Sequence, residues 1–206
     1  MSQIPQDFDK NVFINCPFDE RYLPIFNAIV FAIYNAGFTA RCALEVSDGG
    51  QYRLEKIMQI ISECRYGIHD ISRTSLDSVN RLPRFNVPLE LGLDLGCRKF
   101  GDGDQSRKVI LILDKTPHRY QKFISDIAGQ DVFAHGGVVE KAIKQVRNWI
   151  RTSSGKSDIP SGAEIYRRYR LFSKALPQLC KKLRLDLQDL PFVDFSYSIL
   201  TWLSEV

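Results

Sequence analysis

Between residues 11 and 152, short apolar runs alternate with segments whose apolar residues recur every three or four positions, and this alternation constrains the fold of the 206-residue chain more than any other feature. Strands are predicted at Asn11 to Asn15 (NVFIN), Phe38 to Val46, Tyr66 to Ile71 (YGIHDI), Lys108 to Leu113 (KVILIL) and Val132 to Ala134. Helices are predicted at Asp19 to Ala36, Gln51 to Cys64, Val87 to Lys99, residues 119–128 and Val138 to Arg151. Strands separated by helices pair in parallel, because a parallel pair needs a crossover, and crossovers place helices on both faces. The expectation is a doubly wound α/β domain with a parallel sheet of about five strands. In the first helix Tyr22, Ile25, Phe26, Ile29, Val30 and Ile33 form the buried stripe, and Gly37 stops it. The second helix is expected to bury Leu54, Ile57, Met58 and Ile61. Pro88 falls in the first turn of the third, where no amide proton is needed.

Past this α/β domain (residues 11–152) the composition shifts to a Ser/Gly/Pro linker, 153–162, and then to a helical appendage, 163–206. The appendage has too many large apolar residues to leave in water, among them Ile165, Tyr169, Phe172, Leu176, Leu179, Phe192, Phe195, Ile199 and Trp202. They are expected to cover the α/β domain or a second copy of the chain, a homodimer being the commonest homo-oligomer. With 44% hydrophobic and 25% charged residues the chain can bury a core, which excludes a disordered polypeptide. No apolar run approaches the ~18 residues of a membrane span, and Met1 to Lys10 lacks the basic start and apolar stretch of a signal peptide. A soluble, cytoplasmic protein without membrane contact is expected. The five cysteines stand singly, with no His or Cys at metal-ligand spacing, so no metal is expected. The net charge of +4 is too small to require nucleic acid. Arg167, Arg168, Arg170, Lys174, Lys181, Lys182 and Arg184, interleaved with Tyr166, Tyr169 and Phe172, either bind nucleic acid or form the solvated face of an ordinary amphipathic helix, and the second is the expectation.

Ligands of open α/β sheets bind beyond the carboxyl ends of the strands, so the loops there are where chemistry is sought. They hold Cys16, Pro17, Phe18, Asp19 and Arg21 after the first strand, Arg53 after the second, and Asp70, Ser72 and Arg73 after the third. Arg84 and Asn86 precede the third helix. Glu90 stands out as an acid within one turn of that helix's start on an otherwise apolar element, LELGLDLG. There the helix dipole is expected to lower its pKa, and it either takes part in chemistry or complements the dipole. Gly92 and Gly96 either permit close approach or are tolerated defects. The planar guanidinium of Arg21, Arg53, Arg73 or Arg84 suits phosphate. Phe18, Tyr52 and Phe85 can stack on a base or simply pack. His69, inside a strand, reads as a hydrogen-bonded packing residue, and His118 and His135 have no carboxylate partner nearby in sequence.

The turn Val12-Phe13-Ile14-Asn15-Cys16-Pro17-Phe18, the strand ending in Asp70, and Glu90-Leu91-Gly92 followed by Arg107-Lys108-Val109-Ile110 resemble the nucleoside 2-deoxyribosyltransferases and the bacterial TIR-like domains. The resemblance covers residues 11 to about 150 and implies a flavodoxin-like sheet. It implies cleavage of the N-glycosidic bond of NAD or a related nucleotide, a hydrolase reaction without a bound cofactor, in which the nucleotide is substrate or ligand. Glu90 takes the place of the catalytic glutamate, Pro17 and Phe18 the loop after the first strand, and Asp70 a polar residue lining the sugar site. A role in antiviral defence is implied in the same way. Two departures stand out: Arg84-Phe85-Asn86-Val87-Pro88-Leu89 replaces the transferases' Asp-x-Gly-Thr, and the tryptophan-cysteine pair common in TIR domains is absent. The alternative is a non-catalytic nucleotide or cyclic-nucleotide sensor that signals through the helical tail.

Overall fold

Five parallel strands, β1 (Asn11–Asn15), β2 (Thr39–Arg41), β3 (Tyr66–Asp70), β4 (Val109–Asp114) and β5 (Val132–Ala134), form a single sheet in the order β2-β1-β3-β4-β5. The structure is a computed structural model that describes residues 7–46, 48–73 and 85–206. This strand order and the helices on both faces make it a flavodoxin-like α/β fold, whose topological switch point lies between β1 and β3. Helices α1 (Leu23–Asn35) and α4 (Val139–Ser154) cover one face, and α2 (Arg53–Ser62) and α3 (Asn86–Phe100) the other.

Alternation along the strands sorts the core. Val12, Ile14, Tyr66, Ile68, Leu111 and Leu113 point to the α1 face and join one apolar cluster with α1 and α4. Phe13 points to the other face and meets Ile57, Ile60 and Ile61 of α2. The amphipathic expectation for α1 undershoots: eight of its thirteen residues are buried, Phe31 included, and a helix apolar over so much of its surface needs cover on the side away from the sheet as well. The cover comes from α5 (Gly162–Leu183) and α6 (Phe192–Ser204), whose Phe172 stacks on Phe31 at 5.3 Å while Trp202 lies 5.9 Å away. The appendage thus lies on its own α/β core. The connecting segment is tied down as well, since Arg147 donates to the carbonyls of Ile159 and Pro160, Arg151 donates to that of Ser157, and Ile159 is buried.

Three expected elements change. The second strand ends at Arg41 because Glu45 folds back to clasp the Arg41 guanidinium, with contacts of 2.6 to 2.9 Å, and Glu63 joins at 2.9 Å. The helix expected over 119–128 is two short 3-10 turns, Arg119–Lys122 and Ser125–Ile127. In α2 the buried residues are Ile57, Ile60 and Ile61, while Leu54 and Met58 are half exposed. The helix meets the sheet beside its short edge strand, and only one narrow stripe finds a partner.

Candidate functional site

The carboxyl ends of β1 and β3 and the start of α3 converge at the switch point. Glu90 is the fifth residue of α3, just beyond its first turn, and is buried with 8% of its surface exposed. Its carboxyl accepts no hydrogen bond among the described residues, and burial pushes its pKa up to about 7 against a smaller opposing pull from Arg53. The dipole was expected to lower that pKa; desolvation outweighs it, because the residue lies past the turn where the dipole acts and is buried. Gly92 and Gly96 have open space where a side chain would stand, so neither serves a close approach.

Cys16 lies buried beside this carboxyl. Burial first, then the charges of Asp70, Glu90 and Asp19, hold its thiol well above the ordinary range, so it is a neutral SH and a poor nucleophile. Asp70, which the resemblance placed on the sugar site, is fully buried, and protein groups engage both of its oxygens. Its Oδ2 accepts from Tyr22 at 2.5 Å and stands 2.9 Å from His135 Nε2, while Oδ1 accepts from the Ser72 amide at 2.9 Å. These partners hold its pKa low in spite of burial. Asp70 therefore orients Tyr22, His135 and the Ser72 backbone instead of facing a ligand directly. Sequence reading missed His135 because its carboxylate partner lies 65 residues away; its place just after β5, on the same sheet edge, is the signal that could have found it.

Asp19 and Arg73 bind one another through two contacts of 2.8 and 3.2 Å, which joins the loops after β1 and β3 and engages both side chains. Arg21 and Arg53 are exposed and have no hydrogen-bond or ion-pair partner among the described residues, so their guanidinium groups remain open to an anion. Pro17 is buried, and Phe18 packs edge-on against Phe26 at 5.4 Å with 38% of its surface exposed. Tyr52, Phe85 and Asn86 are exposed at the rim. Arg84 lies outside the described residues. Farther along the edge, Arg119 joins Asp114 to the Ile71 carbonyl, with contacts of 2.6 and 2.7 Å.

Beneath α3 lies a second polar cluster. His69 and Asp94, both buried, meet at 2.9 Å, and Asp94 stands 3.2 Å from the buried Lys108 ammonium. Asn15 reaches His69 Nδ1 and the Val87 carbonyl at 2.9 Å each. His69 is a hydrogen-bonded core residue, as expected for its strand position. Asp94 escaped the sequence reading, although an acid one turn beyond Glu90 on the sheet side of a helix was its signal.

Among the described residues no group of three or more His, Cys, Asp or Glu could hold a metal ion, and no helix is long and apolar enough to cross a membrane. Comparisons with models of protein families, with curated proteins and with solved structures returned no match. The class defined here is thus that of the fold and the cleft: a flavodoxin-like α/β protein with a buried glutamate at its switch point.

Proposed function

We propose that the chain is a nucleotide-processing enzyme of the TIR-like or deoxyribosyltransferase-like kind, which splits the N-glycosidic bond of NAD or a related nucleotide at Glu90. The observation that carries this reading is a carboxyl that is buried at the ligand edge and unengaged among the described residues, so that burial pushes its pKa up to about 7. Cleavage of an N-glycosidic bond builds positive charge on the ribose carbon. A poorly hydrated carboxylate stabilises that charge far better than one in water, or captures the carbon as an ester. In this reading the exposed guanidinium groups of Arg21 and Arg53 take the phosphates, which a planar guanidinium suits. Antiviral defence as the setting rests on the resemblance alone, and the expected homodimer loses the support of the apolar appendage, whose large residues are covered by the chain's own core.

The test is incubation of the protein with NAD, nucleosides and nucleotides, with chromatography of the released base. Glu90→Gln is expected to remove base release while leaving the fold intact, because the amide keeps the shape and loses the charge. Turnover by the variant at the wild-type rate sinks the assignment. Nucleotide binding by both proteins without turnover supports the sensor. Activity is expected to rise with pH through about 7 as the Glu90 carboxylate forms. Arg53→Ala removes the cation that favours ionisation, so the midpoint of the pH profile should move upward.

A further inference from the structure

A helix that carries a working group must be held still. Apolar contacts hold α3 on two sides, Leu91 with Val87 and Leu95 against the Ile71 and Ile112 cluster, and Leu93 and Cys97 against the Phe13 cluster. Of its fifteen residues only Glu90, Leu91 and Asp94 are buried, and two of these are acids. Between the two apolar contacts a chain of polar contacts crosses from α3 to the sheet. Lys108 donates to the carbonyls of Ile61 and Cys64 at the end of α2 and faces Asp94 at 3.2 Å. Asp94 Oδ2 lies 2.9 Å from His69 Nε2, and His69 Nδ1 lies 2.9 Å from Asn15 Nδ2. The same Asn15 nitrogen donates to the Val87 carbonyl, in the first turn of α3 and three residues before Glu90.

The donor roles follow from the chemistry. A carbonyl can only accept, so the Asn15 atom facing Val87 is the amide nitrogen, and its second proton goes to His69 Nδ1. The imidazole proton is then on Nε2, directed at Asp94. Gly67 leaves the room: a Cβ there would collide with Asp94 Oδ2. These contacts therefore reach α3 at two points, Val87 in its first turn and Asp94 in its third, which flank Glu90.

We propose that Asn15, His69 and Asp94 are positioning residues, a buried hydrogen-bonded seam that sets the start of α3 against the sheet and thereby seats the Glu90 carboxyl in the cleft. The proposal rests on Glu90 being the working carboxyl, and its test needs no turnover, so the base-release assay of Glu90→Gln judges that reading separately. Of the titratable groups beside this carboxyl, the Arg53 guanidinium of α2 acts on it by its charge and the Cys16 thiol after β1 is neutral, and neither belongs to the seam.

The experiment is a carboxyl-carbon NMR titration of the full chain with labelled glutamate, the Glu90 signal being assigned by its loss in Glu90→Gln. Asn15→Leu and His69→Leu break the seam. Each is expected to let water reach the carboxyl and to lower its midpoint by about one unit or more toward the ordinary value. His69→Gln can still accept from Asn15 and donate to Asp94, and is expected to keep the wild-type midpoint. Phe13 packs edge-on against His69 at 5.8 Å and so cannot serve as a control; Ile60→Val, in the apolar cluster on the same face of the sheet, should lower the melting temperature without moving the midpoint. An unmoved midpoint in both seam-breaking variants, or an equal shift in Ile60→Val, overturns the proposal. Should Asn15→Leu not fold, Asn15→Ser takes its place, because its short hydroxyl cannot reach both partners, and the same two outcomes decide.

Discussion

The two faces of the sheet are held by different physics. On the α1 face, apolar side chains of β1, β3 and β4 merge with α1, α4, α5 and α6 into one cluster, and the polar groups Asp70, Tyr22 and His135 stand only at its rim. On the α3 face, two smaller apolar clusters, one around Phe13 and the other around Ile71 and Ile112, are divided by the Asn15, His69, Asp94 and Lys108 seam. Apolar packing is non-directional and scales with area, so it gives the first face its stability. Hydrogen bonds are directional and add little net free energy, but an unmade one is expensive, so the second face gains a single allowed position for its helix. The candidate glutamate is carried on the face where position is specified most sharply.

This contrast is most exposed at Lys108. Lys108→Met leaves the Asp94 charge buried without its cation and should lower stability by about 3 to 5 kcal/mol in urea denaturation. Adding Asp94→Leu removes the orphaned charge and should recover part of the loss. If the single variant is as stable as the wild type, the seam is not under electrostatic constraint.

A smaller effect, of opposite sign, is expected at Glu90. Folding raises this carboxyl from 4.5 to about 7, so its contribution is fully present below pH 4.5 and is lost as pH rises through 7. At pH 8 the wild type holds a buried carboxylate, and Glu90→Gln should be the more stable protein by up to about 3 kcal/mol. The difference should vanish near pH 4, and equal stability of the two proteins from pH 4 to 8 counts against a buried, raised carboxyl. Ile143→Val, deep in the α1 face, should cost about 1 kcal/mol by thermal unfolding, independent of pH. A pH-dependent loss there would mean that the two faces are not distinct.

Strands β1, β3 and β4 were legible because a strand buried on both faces reads as a continuous apolar run, and Glu90 was legible as an acid in an apolar helix. The end of β2 was not, since it depends on Glu45 and Glu63 closing on Arg41. The 119–128 segment carries helical spacing without enough length or apolar surface to hold a full helix, and the fold leaves it as tight turns.

Local pattern therefore determined what each segment of this chain became and which end of the sheet holds the cleft, because periodicity and turn chemistry act over a few residues. Tertiary structure alone decided how polar groups pair: His135 with Asp70, His69 with Asp94, Asn15 with the Val87 carbonyl. It also reversed the expected shift of Glu90, because desolvation depends on what the rest of the chain places around a carboxyl, and no short stretch of sequence contains that information.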